Sequence, residues 1–173
     1  MSVFVAVDLD ATVRAEVVAL VEVQRRHLEA KWLRADKFHC TLVFLGHPTA
    51  DTLTAMEPVL AALGQRHRHF SLRLQGAGLF TTARAPSVLW LGVTGQIDAL
   101  RSLQSDASQC LEVPEREYVP HVTLARARGP DAFATTEKAL AGFRSSDIQV
   151  SHLTLYESNS DVYRILYQVP LLA

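Results

Sequence analysis

A chain of 173 residues with a hydrophobic fraction of 49% and a charged fraction of 20% has the proportions of one ordinary globular domain. That length buries roughly two-thirds of the unfolded surface, and a formal net charge of −1 provides no global basic field, which excludes affinity for long duplex DNA while leaving local clusters free to hold a short or terminal phosphate. Cys40 and Cys110 lie far apart, with no Cys or His at metal-ligand spacing beside them, so a reducing cytosolic setting, no metal and no cofactor are expected.

In chain order, Val3 to Val7 reads as a short apolar strand with no basic leader or cleavage-like site before it. No apolar run nears membrane-spanning length, and the expectation is a cytoplasmic protein with no membrane partner. Ala11 to Ala30 carries Val13, Val17, Leu20, Val21 and Leu28 at helical spacing behind Asp10, a capping residue. Trp32 to Gly46 follows. Asp51 to Leu63 is a second helix with Leu53, Met56, Leu60 and Leu63 on one side, and Pro58 should kink it or mark its first turn. Phe70 to Leu74 and Val88 to Val93 read as strands, the latter buried. Ile97 to Leu111 is a third helix with Ile97, Leu100, Leu103, Ala107 and Cys110 on one stripe, and Phe133 to Phe143 is a fourth. Ile148 to Tyr156 and Val162 to Val169 complete the strands.

Within this frame the tetrapeptide His-x-Thr-Leu occurs three times, beginning at His39, His121 and His152. Each copy sits in a strand-like run, where period two sends histidine and threonine to one face and the residue between them to the other. An imidazole gives or takes a proton near neutral pH, and a threonine hydroxyl donates to an anionic oxygen. Two such units facing each other supply an acid, a base and two anion-binding donors, which is the equipment for in-line displacement at a phosphate without a metal.

Val3 to His39 and Val88 to His121 are similar distances, so the chain reads as two related strand-helix-strand-helix halves. Such halves pack about a pseudo-two-fold axis and bring equivalent motifs together across a central groove. No low-complexity linker divides them, and one compact α+β body over residues 1–173 is expected. The third copy lacks a preceding strand-helix unit and is read as a decoy, although Ile148, Val150, His152, Thr154 and Tyr156 would share one strand face. If that face lines the groove, His152 stands behind the reacting pair.

The segments Lys31 to Gly46, ending in Val43-Phe44-Leu45-Gly46, and Arg116 to Arg126, with Pro120 directly before its histidine, resemble the two signature segments of the two-histidine phosphoesterases. Within them the chain most resembles the RNA 2′,3′-cyclic phosphodiesterases, or LigT-like 2′-5′ RNA ligases, over nearly its whole length, including Pro86 to Val93 and Leu155 to Ser158. The resemblance implies a bilobal α+β fold, two pseudo-symmetric lobes of antiparallel sheet plus helices around a V-shaped cleft. It also implies hydrolysis of RNA 2′,3′-cyclic phosphate ends to 2′-phosphomonoesters. Carried over by position, His39 and Thr41 match the first motif, His121 and Thr123 the second, and Arg126 the phosphate-contacting arginine three residues further on. Cys40, Glu117 and Tyr118 depart from the residues common at their positions; the last two bear on base stacking.

The mechanism expected from this pairing takes His121 as base and His39 as acid, with Thr41, Thr123 and Arg126 on the phosphate oxygens. The symmetry of the motifs leaves the swapped order open. The partner is RNA with a cyclic phosphate end or a small cyclic nucleotide, the protein a monomer, and reverse 2′-5′ ligation follows from microscopic reversibility. The alternatives are a related enzyme acting on another cyclic phosphate, and a non-catalytic RNA-end or nucleotide-binding protein; a metal-dependent phosphodiesterase would need carboxylate or histidine ligands beside the motifs. Arg34, Lys37, Arg84 and Arg128 are not assigned, and His67-Arg68-His69 is read as incidental for want of a carboxylate partner. Tyr118, Trp32 and Phe38 could stack on a base, Trp32 and Phe38 being better read as core or groove wall.

Overall fold

Side chains along β1 (Ser2–Asp8) alternate between two apolar environments: Val3, Val5 and Val7 enter the main core, while Phe4 and Ala6 join Tyr156 on the opposite face. This alternation defines a helix-covered face and a cleft face for the whole sheet. The computed structural model describes all 173 residues.

The Asp10 carboxylate caps α1 (Ala11–Gln24) by accepting from the Val13 amide at 2.9 Å, and Val13, Val17 and Val21 form its buried stripe. The helix ends six residues short of Ala30, because Gln24 and Arg25 offer no apolar side chain to continue that stripe. After the two-residue β2 (Lys31–Trp32) and a single 3₁₀ turn over Ala35–Lys37, β3 (His39–Gly46) carries the first motif. Thr49 caps α2 (Ala50–Gly64), and Pro58 lies in its interior rather than in its first turn. β4 (Phe70–Phe80) runs well past Leu74, since Gly76, at φ 68°, absorbs a register shift and lets pairing resume at Ala77. β5 (Ser87–Gly95), α3 (Ile97–Cys110) and β6 (His121–Ala127) follow, and α4 (Ala134–Leu140) is trimmed at both ends relative to Phe133–Phe143.

The expected single strand Ile148–Tyr156 is two strands, β7 (Arg144–Val150) and β8 (His152–Ser158), before β9 (Tyr163–Pro170). Val150 pairs with Phe70 of β4, whereas His152 pairs with Pro170 of β9, so the chain changes sheet position at Ser151. Ile148 and Val150 consequently lie in the main core, apart from His152, Thr154 and Tyr156.

The strands form one antiparallel sheet in the order β7-β4-β5-β6-β3-β1-β8-β9, with β2 added against β6. The order is symmetric about the β6–β3 junction, where each half contributes its own motif strand. The first helix of each half packs over strands of the other, α1 against β7 and α3 against β3, so the two halves interlock on the covered face. α2 packs against α3 and β9.

One irregularity is repeated in both halves. Thr41 and Val43 pair with Ala6 and Val5, skipping Leu42; Thr123 and Ala125 pair with Trp90 and Leu89, skipping Leu124. The leucine of each of the first two His-x-Thr-Leu copies is thus a bulge residue, and the burial sequences of the two strands match through that point. A bulge reverses the alternation of faces downstream. Arg126, at an odd offset from Thr123, thereby returns to the cleft face, as Phe44 does after Thr41.

Candidate active site

Cys40 lies opposite Val122 where β3 meets β6, and both side chains are buried in the core. The flanking His39, Thr41, His121 and Thr123 are half-buried on the cleft face. Sequence period and a single cross-strand pairing therefore collect the four expected motif side chains in one place.

Both imidazoles are anchored the same way. Nδ1 of His39 lies 2.7 Å from the Lys37 carbonyl, and Nδ1 of His121 lies 2.7 Å from the Val119 carbonyl. A carbonyl only accepts, so Nδ1 carries the proton in each neutral ring and Nε2 is left as the atom that exchanges protons. Nε2 of His39 is 2.8 Å from the Thr41 hydroxyl. His39 stacks on Phe4 at 4.7 Å between ring centroids and meets the edge of Tyr163 at 5.4 Å. His121 stands edge-on to Phe80 at 4.9 Å, with Trp90 at 5.8 Å. The Trp90 indole lies flat over Gly78, where a Cβ would come within 2.3 Å of the ring.

Burial pulls His39 down to about 4; the Lys37 carbonyl and the Asp8 carboxylate act against this, while His121 and Arg14 reinforce it. Burial also lowers His121, opposed by the Val119 carbonyl and reinforced by the charge of Arg126. Arg126 is exposed, has no carboxylate partner and acts on Tyr163 of the opposite lobe as well as on His121. It is an uncommitted cation at the mouth of the cleft. From the motifs the cleft continues as a groove of about 400 Å³ between Phe44, Phe80 and the segment around Tyr118 and Val119.

Several residues that sequence reasoning passed over hold this arrangement. The Arg14 guanidinium binds the carbonyls of Leu9, Ala35 and Phe38, tying the end of β1 to the turn before His39. Tyr118 lines the groove and is tied to β3: its hydroxyl donates to the Thr41 carbonyl at 2.9 Å and touches Cys40 Sγ at 3.5 Å. Burial pushes the Cys40 thiol up to about 11, so it stays an inert core group. Phe38 is buried in the core, and the Trp32 indole donates to the Leu28 carbonyl.

The third copy takes no place among the motif pair, yet it faces the same cleft. His152 Nε2 and the Thr154 hydroxyl reach Oδ2 of Asp8 at 3.1 and 2.5 Å, and the Tyr156 hydroxyl donates to Oδ1. Asp8 had one signal in the sequence, its place in the series Phe4, Ala6, Asp8 on the face opposite the three valines. Among the unassigned charges, Arg34 pairs with Asp36, Lys37 sits 5.0 Å over the Tyr163 ring, and Arg84 and Arg128 are exposed. His67 binds Asp106 at 2.8 Å, joining the end of α2 to α3. No group of three or more His, Cys, Asp or Glu side chains is placed to hold a metal ion, and no helix is long and apolar enough to cross a membrane.

Comparison with known proteins places this geometry. Residues 10–162 match the model of the 2′-5′ RNA ligase superfamily. The RNA 2′,3′-cyclic phosphodiesterase of Methanothermobacter thermautotrophicus is 31% identical, the match covering 90% of this chain and 88% of that one. The protein of the same name from Escherichia coli is 32% identical, over 90% and 86%. Among solved structures, TT0787 of Thermus thermophilus superposes with a TM-score of 0.76 at 23% identity, and E. coli LigT complexed with 3′-AMP with 0.74 at 25%, each covering 99% of this chain and 98% of the other. The bilobal α+β fold of the two-histidine phosphoesterases is shared throughout. The family match spans most of the sequence and takes in both cleft motifs, and the chain belongs to the 2′-5′ RNA ligase superfamily.

Proposed function

We propose that this protein is an RNA 2′,3′-cyclic phosphodiesterase that opens the cyclic phosphate to a 2′-phosphomonoester, using His121 as base and His39 as acid. The observation that carries the reading is the twin anchoring of the two imidazoles by the Lys37 and Val119 carbonyls, which leaves both Nε2 atoms as the proton-exchanging positions in one cleft. Relatives of the same name, aligned over most of the chain, support the substrate class.

In this mechanism neutral His121 takes a proton from water as its oxygen bonds to phosphorus. The P–O3′ bond breaks, and protonated His39 gives its Nε2 proton to the departing 3′ oxygen. The adjacent Arg126 charge disfavours a second positive charge on His121, in keeping with the base. Thr41, Thr123 and Arg126 hold the non-bridging oxygens as preorganised donors. Every group required comes from the chain, so turnover is expected to survive a strong chelator. With a 5′ hydroxyl in place of water, the same displacement joins a cyclic phosphate end in 2′-5′ linkage: His121 takes the hydroxyl proton, the P–O5′ bond forms, the P–O3′ bond breaks and His39 protonates the 3′ oxygen. We assign action as a monomer in the cytoplasm.

The test is to incubate metal-stripped protein with an RNA oligonucleotide ending in a 2′,3′-cyclic phosphate, alongside His39→Ala and His121→Ala. The expected product is a 2′-phosphate, with rates reduced roughly 10²- to 10⁴-fold in each variant. A 3′-phosphate product, or tight binding without turnover by the native protein, would remove the assignment.

A further inference from the structure

The first two His-x-Thr-Leu copies are symmetric in tautomer, bulge and strand position, but their surroundings are not. Asp8 pairs with His39 across the β1–β3 ladder, and the corresponding partner of His121 across β5–β6 is Gly92. One imidazole therefore has a carboxylate-bearing neighbour where the other has no side chain at all.

That carboxylate is held from both sides. Oδ2 receives His152 Nε2 at 3.1 Å and the Thr154 hydroxyl at 2.5 Å, and Oδ1 receives the Tyr156 hydroxyl. Gln168 Nε2 in turn donates to the Thr154 oxygen at 3.1 Å, completing the arrangement from β9. Thr154 is fully buried, and the Asp8 side chain is only 14% exposed. Tyr156 also stacks on Phe4 at 5.3 Å, and Phe4 stacks on His39, so the ring that fixes Asp8 belongs to the box around His39.

We propose that the third His-x-Thr-Leu copy is an anchor that fixes the Asp8 carboxylate beside His39, and that Asp8 is the positioning residue that makes His39 the acid of the pair. The inference rests on the reaction proposed above and deepens it.

The charges around His39 agree with this. Burial disfavours imidazolium there, Arg14 from α1 and His121 from β6 disfavour it further, and the remaining side chains on the ring are the uncharged Thr41, Phe4, Tyr156 and Tyr163. Lys37 sits over Tyr163, and Arg126 acts on Tyr163 and His121. Asp8 is the one anionic side chain acting in favour of the cation. The donors of the third copy keep Asp8 ionised although burial alone would push it up.

The test is the pH dependence of kcat/KM on cyclic-phosphate RNA for the native protein, Asp8→Asn and His152→Gln, with the His39 ring titrated by NMR in each. The active form has His39 protonated and His121 neutral. Above both pKa values its population scales with the proton affinity of His39; below both it depends on His121 alone. Asp8→Asn is therefore expected to lose about tenfold at alkaline pH for each unit by which His39 falls, and to converge on the native rate toward acid pH. His152→Gln shows a smaller loss of the same shape. A loss equal at every pH would reduce Asp8 to a structural residue, and a gain at acid pH without alkaline loss would make His39 the base; either overturns the proposal. If the native protein turns over no cyclic-phosphate RNA, the functional reading fails, while an unmoved His39 titration in Asp8→Asn overturns the role of Asp8 independently.

Discussion

Cys40 and Val122 are Cα partners at the single register position joining β3 to β6, and each is the middle residue of a His-x-Thr motif facing the cleft. Because both point into the core, the histidine and threonine on either side of each must point into the cleft. The distance between the two motifs is thus set by how closely two buried side chains pack. Enlarging one of them, as in Cys40→Phe, is expected to cost roughly 1–3 kcal/mol by overpacking and to prise the motif strands apart. Urea denaturation would give the stability cost, and single-turnover rates should fall at least about tenfold at temperatures where the variant remains folded. Unchanged chemistry in a folded variant would show that the junction does not set the geometry.

Both histidines are held below the ordinary value of 6.5 in the free protein, His39 at about 4, chiefly by burial. The profile of kcat/KM reports the free protein, so a bell whose descending limb begins below pH 6.5 and continues into alkaline pH is expected. An anionic phosphate between the rings favours imidazolium, so the kcat profile should lie at higher pH than that of kcat/KM. Initial rates across the range at subsaturating and saturating RNA would give both curves. A rate rising steadily with pH, with no descending limb, would count against a protonated histidine in the reaction.

The shared face of His39 with Thr41 and of His121 with Thr123 was legible because strand periodicity is local, and the capped helix after Asp10 was legible for the same reason. Arg126 was not legible from periodicity. Period two sends it away from Thr123, and only the family resemblance assigned it to the phosphate; the bulge at Leu124 supplies the missing half-turn of the pattern. The break at Ser151 was hidden because both flanking segments have strand composition, and their division depends on distant partners, β4 for one and β1 with β9 for the other. The hydrogen bond of Tyr118 was similarly invisible, since nothing local in the sequence tells that its hydroxyl reaches the Thr41 carbonyl on β3.

Arg126 couples two effects that a pair of substitutions separates. As an uncommitted cation it is placed to hold a phosphate oxygen, and Arg126→Ala should lower kcat/KM roughly 10²-fold, with Arg126→Lys intermediate because the ammonium lacks the planar fork. Its charge also lowers His121. In Arg126→Ala, His121 should therefore titrate at higher pH than in the native protein, and in Arg126→Lys close to the native position. NMR titration of the imidazoles would read this. A His121 titration unaffected by Arg126→Ala would place the guanidinium away from the base.

The neutral preference of His39 carries a cost in acid. Folded, the ring binds its proton at about 4; unfolded, at its ordinary 6.5. Between those values the unfolded chain holds more protons than the folded one, so stability falls as pH falls through this window, and the loss is complete below about pH 4. The difference amounts to about 3 kcal/mol in all, of which about 2 kcal/mol goes between pH 7 and pH 5. His121, lowered as well, adds a loss of the same sign. Asp8 contributes at still lower pH: burial pushes its carboxyl up, but the donors from His152, Thr154 and Tyr156 hold it below 3.8, and their stabilisation disappears as it is protonated. Urea midpoints at pH 7 and pH 5 should differ less for His39→Gln than for the native protein, since glutamine takes up no proton. Equal losses in the two proteins would assign the acid sensitivity to groups other than His39.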